Sequence, residues 1–142
     1  MVGVRELSSV SLDGGQRALA AAVREATSIG VPSCVAVADQ AGHLLSFARM
    51  DGAPLLSSQI AQDKAYTVAA FGLATHDWWE LLEGEPALLH GIIKTDRLIV
   101  FGGGVPIVAG GQLVGAIGVS GGSAEQDRQV AEAGAAALTG RK

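Results

Sequence analysis

Apolar residues change their period several times along this chain, and each change predicts an element. From Leu12 to Ile29 they fall at Leu12, Leu19, Ala22, Val23, Ala26 and Ile29, one face of a helix, with Arg17, Arg24 and Glu25 opposite. Asp13 with Gln16 offers a capping pair, and Gly30 with Pro32 ends the helix. Ser33–Asp39 and His43–Arg49 then read as two strands of an antiparallel hairpin about Gln40-Ala41-Gly42. Cys34, Ala36 and Ala38 make one face of the first strand small, while His43, Leu45, Phe47 and Arg49 share a face of the second. Leu56–Ala74 returns to helical spacing, opened by Ser57 or Ser58, with Ile60, Ala61, Ala65, Val68 and Ala69 inward. Thr75 or Asp77 caps a short helix carrying Trp78 and Trp79.

The second half reads as strands again: Arg97–Phe101, Val105–Ala109 and the stretch that follows Gly110-Gly111. Paired glycines supply the positive φ of a two-residue hairpin turn, and Pro106, without an N–H, places its strand near a sheet edge. In the last strand Leu113, Gly115, Ile117 and Val119 face one side, and Val114, Ala116 and Gly118 the other. Both faces are apolar or small, so the strand is central and covered twice. Ser123 followed by Gln126 has capping-box spacing, with Glu125 and Asp127 in the first turn of a helix to about Leu138. Short turns between successive strands predict an α+β domain over residues 1–142, a five-stranded antiparallel sheet with helices on it.

Composition narrows the function. The chain has 142 residues, 49% hydrophobic with twenty glycines and six aromatics, so helices should pack close to the sheet. Mean hydropathy is positive, which predicts surface buried in a homo-oligomer. A formal charge of −4 and the lack of any Lys/Arg run argue against nucleic acid as partner. No apolar run reaches the roughly 20 residues that cross a bilayer, and the opening residues do not resemble a signal peptide. The expected location is the cytoplasm. Cys34 alone forms no internal disulfide, and no His-x-x-x-His or Cys-x-x-Cys spacing marks a zinc site.

Candidate chemistry gathers at corners. Ser120-Gly121-Gly122 leads from a strand into a helix N-terminus, where free amides can hold a carboxylate or phosphate, or where the glycines simply make the turn. Gly118-Val119-Ser120-Gly121-Gly122 also spells a nucleophile elbow, but His43, His76 and His90 all precede Ser120, the reverse of the hydrolase order. Arg49 beside Met50 and Asp51 can meet a polar ligand or pair at the surface. Lys64, Thr67 and Phe71 share a helical stripe that suits a flat acidic molecule, or a partly exposed face. Gly102-Gly103-Gly104 allows close backbone approach, and His76 beside two tryptophans is the candidate axial ligand for a metal tetrapyrrole.

Several of these stretches stand together in one family. Val35-Ala36-Val37-Ala38-Asp39-Gln40-Ala41-Gly42, Phe47-Ala48-Arg49-Met50-Asp51-Gly52, Ala61-Gln62-Asp63-Lys64-Ala65-Tyr66-Thr67, Gly102-Gly103-Gly104-Val105-Pro106 and Gly115 to Gly122 resemble the GlcG/HbpS-like family over about residues 10 to 140. The resemblance implies a profilin-like fold, assembly through dimers into larger oligomers, and haem binding in some members. The first helix has no histidine, where some relatives place one, which leaves His76, Tyr66 or Met50 as axial candidates.

Two functions follow as expectations. One is a cytoplasmic, oligomeric binder of haem or a related tetrapyrrole, its acidic groups met by Arg49, Lys64 or the Ser120-Gly121-Gly122 amides, with Met50, Thr67, Phe71 and Gly103 lining the site. The other is a metal-independent isomerase or lyase acting on a small carboxylic acid, with Lys64, Asp51 or Tyr66 moving the proton. Sedimentation of the purified chain is expected to show a homo-oligomer; a monomer would contradict the reading of its hydropathy.

Overall fold

The computed structural model describes residues 2–139. Its elements are α1 (Leu12–Ser28), β1 (Cys34–Asp39), β2 (Leu44–Arg49), α2 (Leu55–Phe71), a 3-10 turn (Thr75–Asp77) running into α3 (Trp78–Leu82), α4 (Pro86–Ile92), β3 (Gly104–Ala109), β4 (Gln112–Ser120) and α5 (Ala124–Ala136). The strands form one antiparallel sheet in the order β2-β1-β4-β3. The α+β architecture therefore stands with four strands, and the expected fifth, Arg97–Phe101, is irregular. A helix side chain has captured its backbone instead: Thr67 Oγ1 accepts the Ile99 N–H at 3.0 Å and lies 3.0 Å from the Arg97 carbonyl oxygen. Groups satisfied in this way need no ladder.

Residue size sets the layers. Cys34, Ala36 and Ala38 give β1 a flat face on which Ala61 and Ala65 of α2 rest. On the other face Val35, Val37, Val105, Ile107, Ile117 and Val119 meet Ala18, Ala22 and Ala26 of α1 and Val130 and Ala131 of α5. The sheet is thus held between one helix and a pair. No helix among the described residues is long and apolar enough to cross a membrane.

Two bulges correct the expected alternation. Leu113 pairs with Val108 and Gly115 with Ile107, so Val114 is an extra residue, and it turns into the α1/α5 core rather than siding with Ala116. Leu45 is likewise extra between Leu44 and Ser46, and it packs on Gly15 of α1 while Phe47 faces the α2 layer. The helix ends differ from expectation in the same local way. Ser11, not Asp13, caps α1 by accepting the Gly14 N–H at 3.1 Å, and Asp13 pairs with Arg17. The α2 helix starts behind Pro54 without a side-chain cap and stops at Gly72, whose φ is 88°. Ser123 and Gln126 form the reciprocal capping box that their spacing predicts.

At Gly118 the backbones of α2 and β4 come close together. A Cβ added at Gly118 would run into the Ala61 carbonyl oxygen and stand 2.6 Å from the Ala65 nitrogen, both backbone atoms that cannot swing away. Gly118→Ala is expected to destabilise the protein by about 3 kcal/mol, the upper range for an overpacked core, measured by urea denaturation. A neutral result would mean that α2 does not lie this close to the sheet.

Candidate functional site

Lys64 is the centre of the molecule's polar interior. The small residues that bring α2 onto the sheet carry its side chain between β4 and α5, where it has no exposed surface. Its Nζ donates to the Val119 carbonyl at 2.7 Å and to Asp127 Oδ2 at 3.1 Å, and it lies 5.0 Å from the centroid of the Phe101 ring. Asp127 Oδ1 in turn accepts the Gly122 N–H at 2.9 Å. Gly103, at φ 128°, closes over the ammonium, and a Cβ there would stand 2.6 Å from the Val119 oxygen. The ammonium thus has two hydrogen-bond acceptors and an aromatic ring beside it, and each carboxylate oxygen has a donor.

The glycine corner at Ser120-Gly121-Gly122 therefore holds a carboxylate, and that carboxylate is the protein's own. Sequence reasoning placed Asp127 only as a first-turn acid on α5; its inward turn is what it missed. The available signal was chemical, since a lysine on the inner stripe of a helix needs a carboxylate within reach. Burial pushes the Lys64 amine below its ordinary value, against the pull of the Asp127 charge and hydrogen bond. Burial likewise pushes the Asp127 carboxyl above its ordinary value, against the Gly122 N–H and Lys64.

A second group of residues borders this pair. Residues 97–103 form a strap across α2: the Arg97 Nε donates to Asp63 Oδ1 at 2.8 Å, and its guanidinium lies 4.2 Å from the centroid of the Tyr66 ring. The strap then carries Phe101, half-exposed, over Lys64 and brings Gly102 against the Cβ of His76 and the backbone of Ala124. Thr75 fixes its far end by accepting the Gly104 N–H at 2.8 Å. His76 is mostly buried, with Nε2 3.6 Å from Asp77 Oδ1. Its Nδ1 is buried without a hydrogen-bond partner, and so is the Trp78 Nε1 two residues on. Orphaned buried nitrogens are uncommon enough to ask what they serve.

Beside His76 runs an open hollow of about 370 Å³, lined by Ala74, Val105, Pro106, Ala135 and Ala136, with Glu132 at its rim. Arg128 donates to Glu132 Oε2 at 3.1 Å, and the bond to Glu132 with the nearby charges of Glu132, Glu125 and Asp77 holds its guanidinium above the usual value.

The other expected site residues lie apart from this hollow or are engaged. Arg49 is exposed and reaches the Ala53 carbonyl at 3.4 Å, and Asp51 is exposed in the following turn. Met50 Sδ accepts the Ser33 N–H at 3.4 Å, and Tyr66 is covered by Arg97. Thr67 is buried and holds the strap, while Phe71 is exposed with its ring centroid 5.0 Å from that of Trp78. The structure thus brings Lys64, Gly103 and Gly122 together around Asp127, sets His76 next to them across Gly102, and leaves Arg49 and Asp51 outside. His43 is exposed beside Asp39, and His90 is exposed on α4. No cluster of three or more His, Cys, Asp or Glu side chains placed to hold a metal ion occurs among the described residues.

A sheet held between one helix and a helix pair, with a buried Lys–Asp pair under a glycine strap, defines a small α+β domain. Residues 10–136 match the HbpS-like family, described as haem degrading protein HbpS-like, and the chain belongs to that family. It is 35% identical over 130 residues to an uncharacterised 15.0 kDa protein of the dhaT-dhaS intergenic region of Citrobacter freundii, spanning 90% of this chain and 91% of that one. The crystal structure of the Klebsiella pneumoniae protein ORFY superposes with a TM-score of 0.91 at 32% identity, covering 97% of this chain and 96% of the other. That of a PduOC:heme complex superposes with a TM-score of 0.80 at 33% identity, covering 91% and 94%.

Removing one member of the buried pair is expected to cost far more than removing both. Lys64→Met leaves the Asp127 carboxylate buried without a cation, at about 3–5 kcal/mol, whereas Lys64→Met/Asp127→Leu should recover much of that loss. In Lys64→Met the folded-state pKa of Asp127 lies above its unfolded value, so as pH falls the folded form takes up a proton before the unfolded chain does. The variant should accordingly gain stability as pH falls from neutral toward the ordinary carboxylate range. Urea midpoints across that range check both statements, and a variant whose deficit is flat with pH would refute the second.

Proposed function

We propose that this chain binds haem or a closely related tetrapyrrole, with His76 as the axial ligand, and that it does so as a homo-oligomer. The observation that carries the reading is the His76 imidazole: mostly buried, one nitrogen without any protein partner, at the edge of an apolar hollow built from small residues. Its relation to a family described as haem degrading, and its likeness to a PduOC:heme complex, support the same chemistry.

The residues fit such a group. His76 supplies the imidazole; Met50 and Tyr66, the other axial candidates, are held by Ser33 and Arg97. Ala74, Val105, Pro106, Ala135 and Ala136 offer an apolar floor on which a flat macrocycle exchanges water for contact. Arg128, bonded to Glu132 of the hollow's lining, is a cation that could meet an acidic substituent. Bound haem supplies an iron centre whose electronics its axial ligand tunes. Because the hollow is open, part of the ring would be covered by another copy, and exposed Phe71, Trp79 and Phe101 are the side chains suited to that contact.

The isomerase or lyase reading has less behind it, since Lys64, its first proton carrier, has no surface open to a substrate.

Hemin titrated into the full chain should give a saturating Soret shift at stoichiometric protein, and His76→Ala should displace or abolish that band. A titration without a shift overturns the haem reading, and a His76→Ala band identical to that of the unaltered protein overturns the ligand assignment.

A further inference from the structure

Residues 83–96 hold no buried side chain, although they include Leu88, Leu89, Ile92 and Ile93. Spaced by one and by four, these four share one stripe of α4 and of the turn that prolongs it, where the Lys94 N–H donates to the Gly91 carbonyl and the Thr95 N–H to that of Ile92. None of them joins the core on either face of the sheet, and within the chain α4 packs against α3. A helix of seven residues is well short of the roughly 12 that hold themselves together in water, so its stability has to come from packing. The packing inside one protomer leaves Ile93 51% exposed.

The surface that suits this stripe is on α3. Leu73 and Leu81 line an open hollow of about 450 Å³, with Asp77 and Glu80 as its acidic lining. Charge divides the two helices. Residues 77–85 carry Asp77, Glu80, Glu83 and Glu85 without a Lys or Arg, whereas residues 86–94 carry Lys94 without an Asp or Glu. Among the described residues, Glu80, Glu83, Glu85 and Lys94 enter no ion pair within the chain. In one protomer α4 lies beside α3 yet leaves the hollow open. A second copy brings the same two surfaces, so a two-fold contact seats each α4 against the other's α3 and turns a lysine toward the acids, while stacking α3 on α3 would oppose acid to acid.

We propose that α3 and α4 form a homodimer surface, in which the Leu88, Leu89, Ile92 and Ile93 stripe of each copy fills the Leu73/Leu81 hollow of the other and Lys94 faces Glu80 across its rim. This rests on the homo-oligomer part of the proposed function and is independent of haem. A two-fold interface contains the stripe twice, so each substitution acts twice. Its effect falls on association rather than on the fold, because no residue of α4 is buried in the protomer.

Sedimentation of the haem-free full chain over a range of concentrations gives the dissociation constant of the dimer step. Ile93→Asp is expected to weaken it about thirtyfold, the effect of losing a hot-spot contact, with the far-UV circular dichroism unchanged. Lys94→Glu, which adds an acid to an already acidic meeting, should weaken it about tenfold at low salt and less at high salt. Glu80→Lys in the same chain as Lys94→Glu should restore most of that loss. Equal dissociation constants for the unaltered chain, Ile93→Asp and Lys94→Glu would overturn this surface while leaving self-association through another face in place. A loss in Lys94→Glu that Glu80→Lys does not recover would overturn the seating of α4 on α3. A monomer at every concentration would overturn both this surface and the homo-oligomer reading.

Discussion

A buried ammonium has to be answered by a charge, and in this fold that requirement joins three elements. Lys64 comes from α2, the Val119 carbonyl from β4 and Asp127 from α5, so the pair can be satisfied only when helix, strand and helix are all in register. The corner between β4 and α5 is shaped by the same need: its glycines admit a carboxylate to the Gly122 amide, and the carboxylate that enters is the one Lys64 requires. A site that could face outward to an anion is used inward to fix the fold. Next to it, His76 is left with a buried nitrogen that no protein group answers.

The strap is the connection between the two. Gly103 must lack a side chain because the ammonium lies beneath it, and Gly102 sits close enough that a Cβ there would stand 3.2 Å from the Ala124 oxygen and 3.4 Å from the His76 Cβ. The ion pair, the histidine and the aromatic ring over Lys64 therefore share three successive residues of chain, and a change in one is felt by the others through backbone position rather than through charge.

Much of this architecture could be read from residue order. The period of small residues in β1 and α2 gave the close helix-to-sheet layer, and Ser123 with Gln126 gave the start of α5 to the residue. What could not be read was whatever depends on a partner distant in sequence. Residues 97–101 have the apolar content of a strand, but whether they pair with a strand or with Thr67 is decided by α2, some thirty positions earlier. Asp127 carries the same letters whether it faces solvent at a helix N-terminus or turns inward, and only the placement of Lys64 distinguishes the two. The bulges at Leu45 and Val114 are invisible for a related reason: each adds one residue to a pattern that otherwise alternates, and the sheet absorbs it where the core wants one more side chain. The proposed haem residues were legible singly, His76 foremost, but their grouping was not.

Pro106 has an effect beyond its own strand. It sits in β3, the outermost strand on the side of the hollow, where a ladder would need the N–H that proline lacks. An incoming strand on that side finds a gap in the row of bonds it would have to make, so runaway stacking of sheets from one molecule to the next is discouraged there. Any copy that covers the hollow has to meet it with side chains, which makes the contact a matter of shape and reversible, rather than a continuation of the sheet.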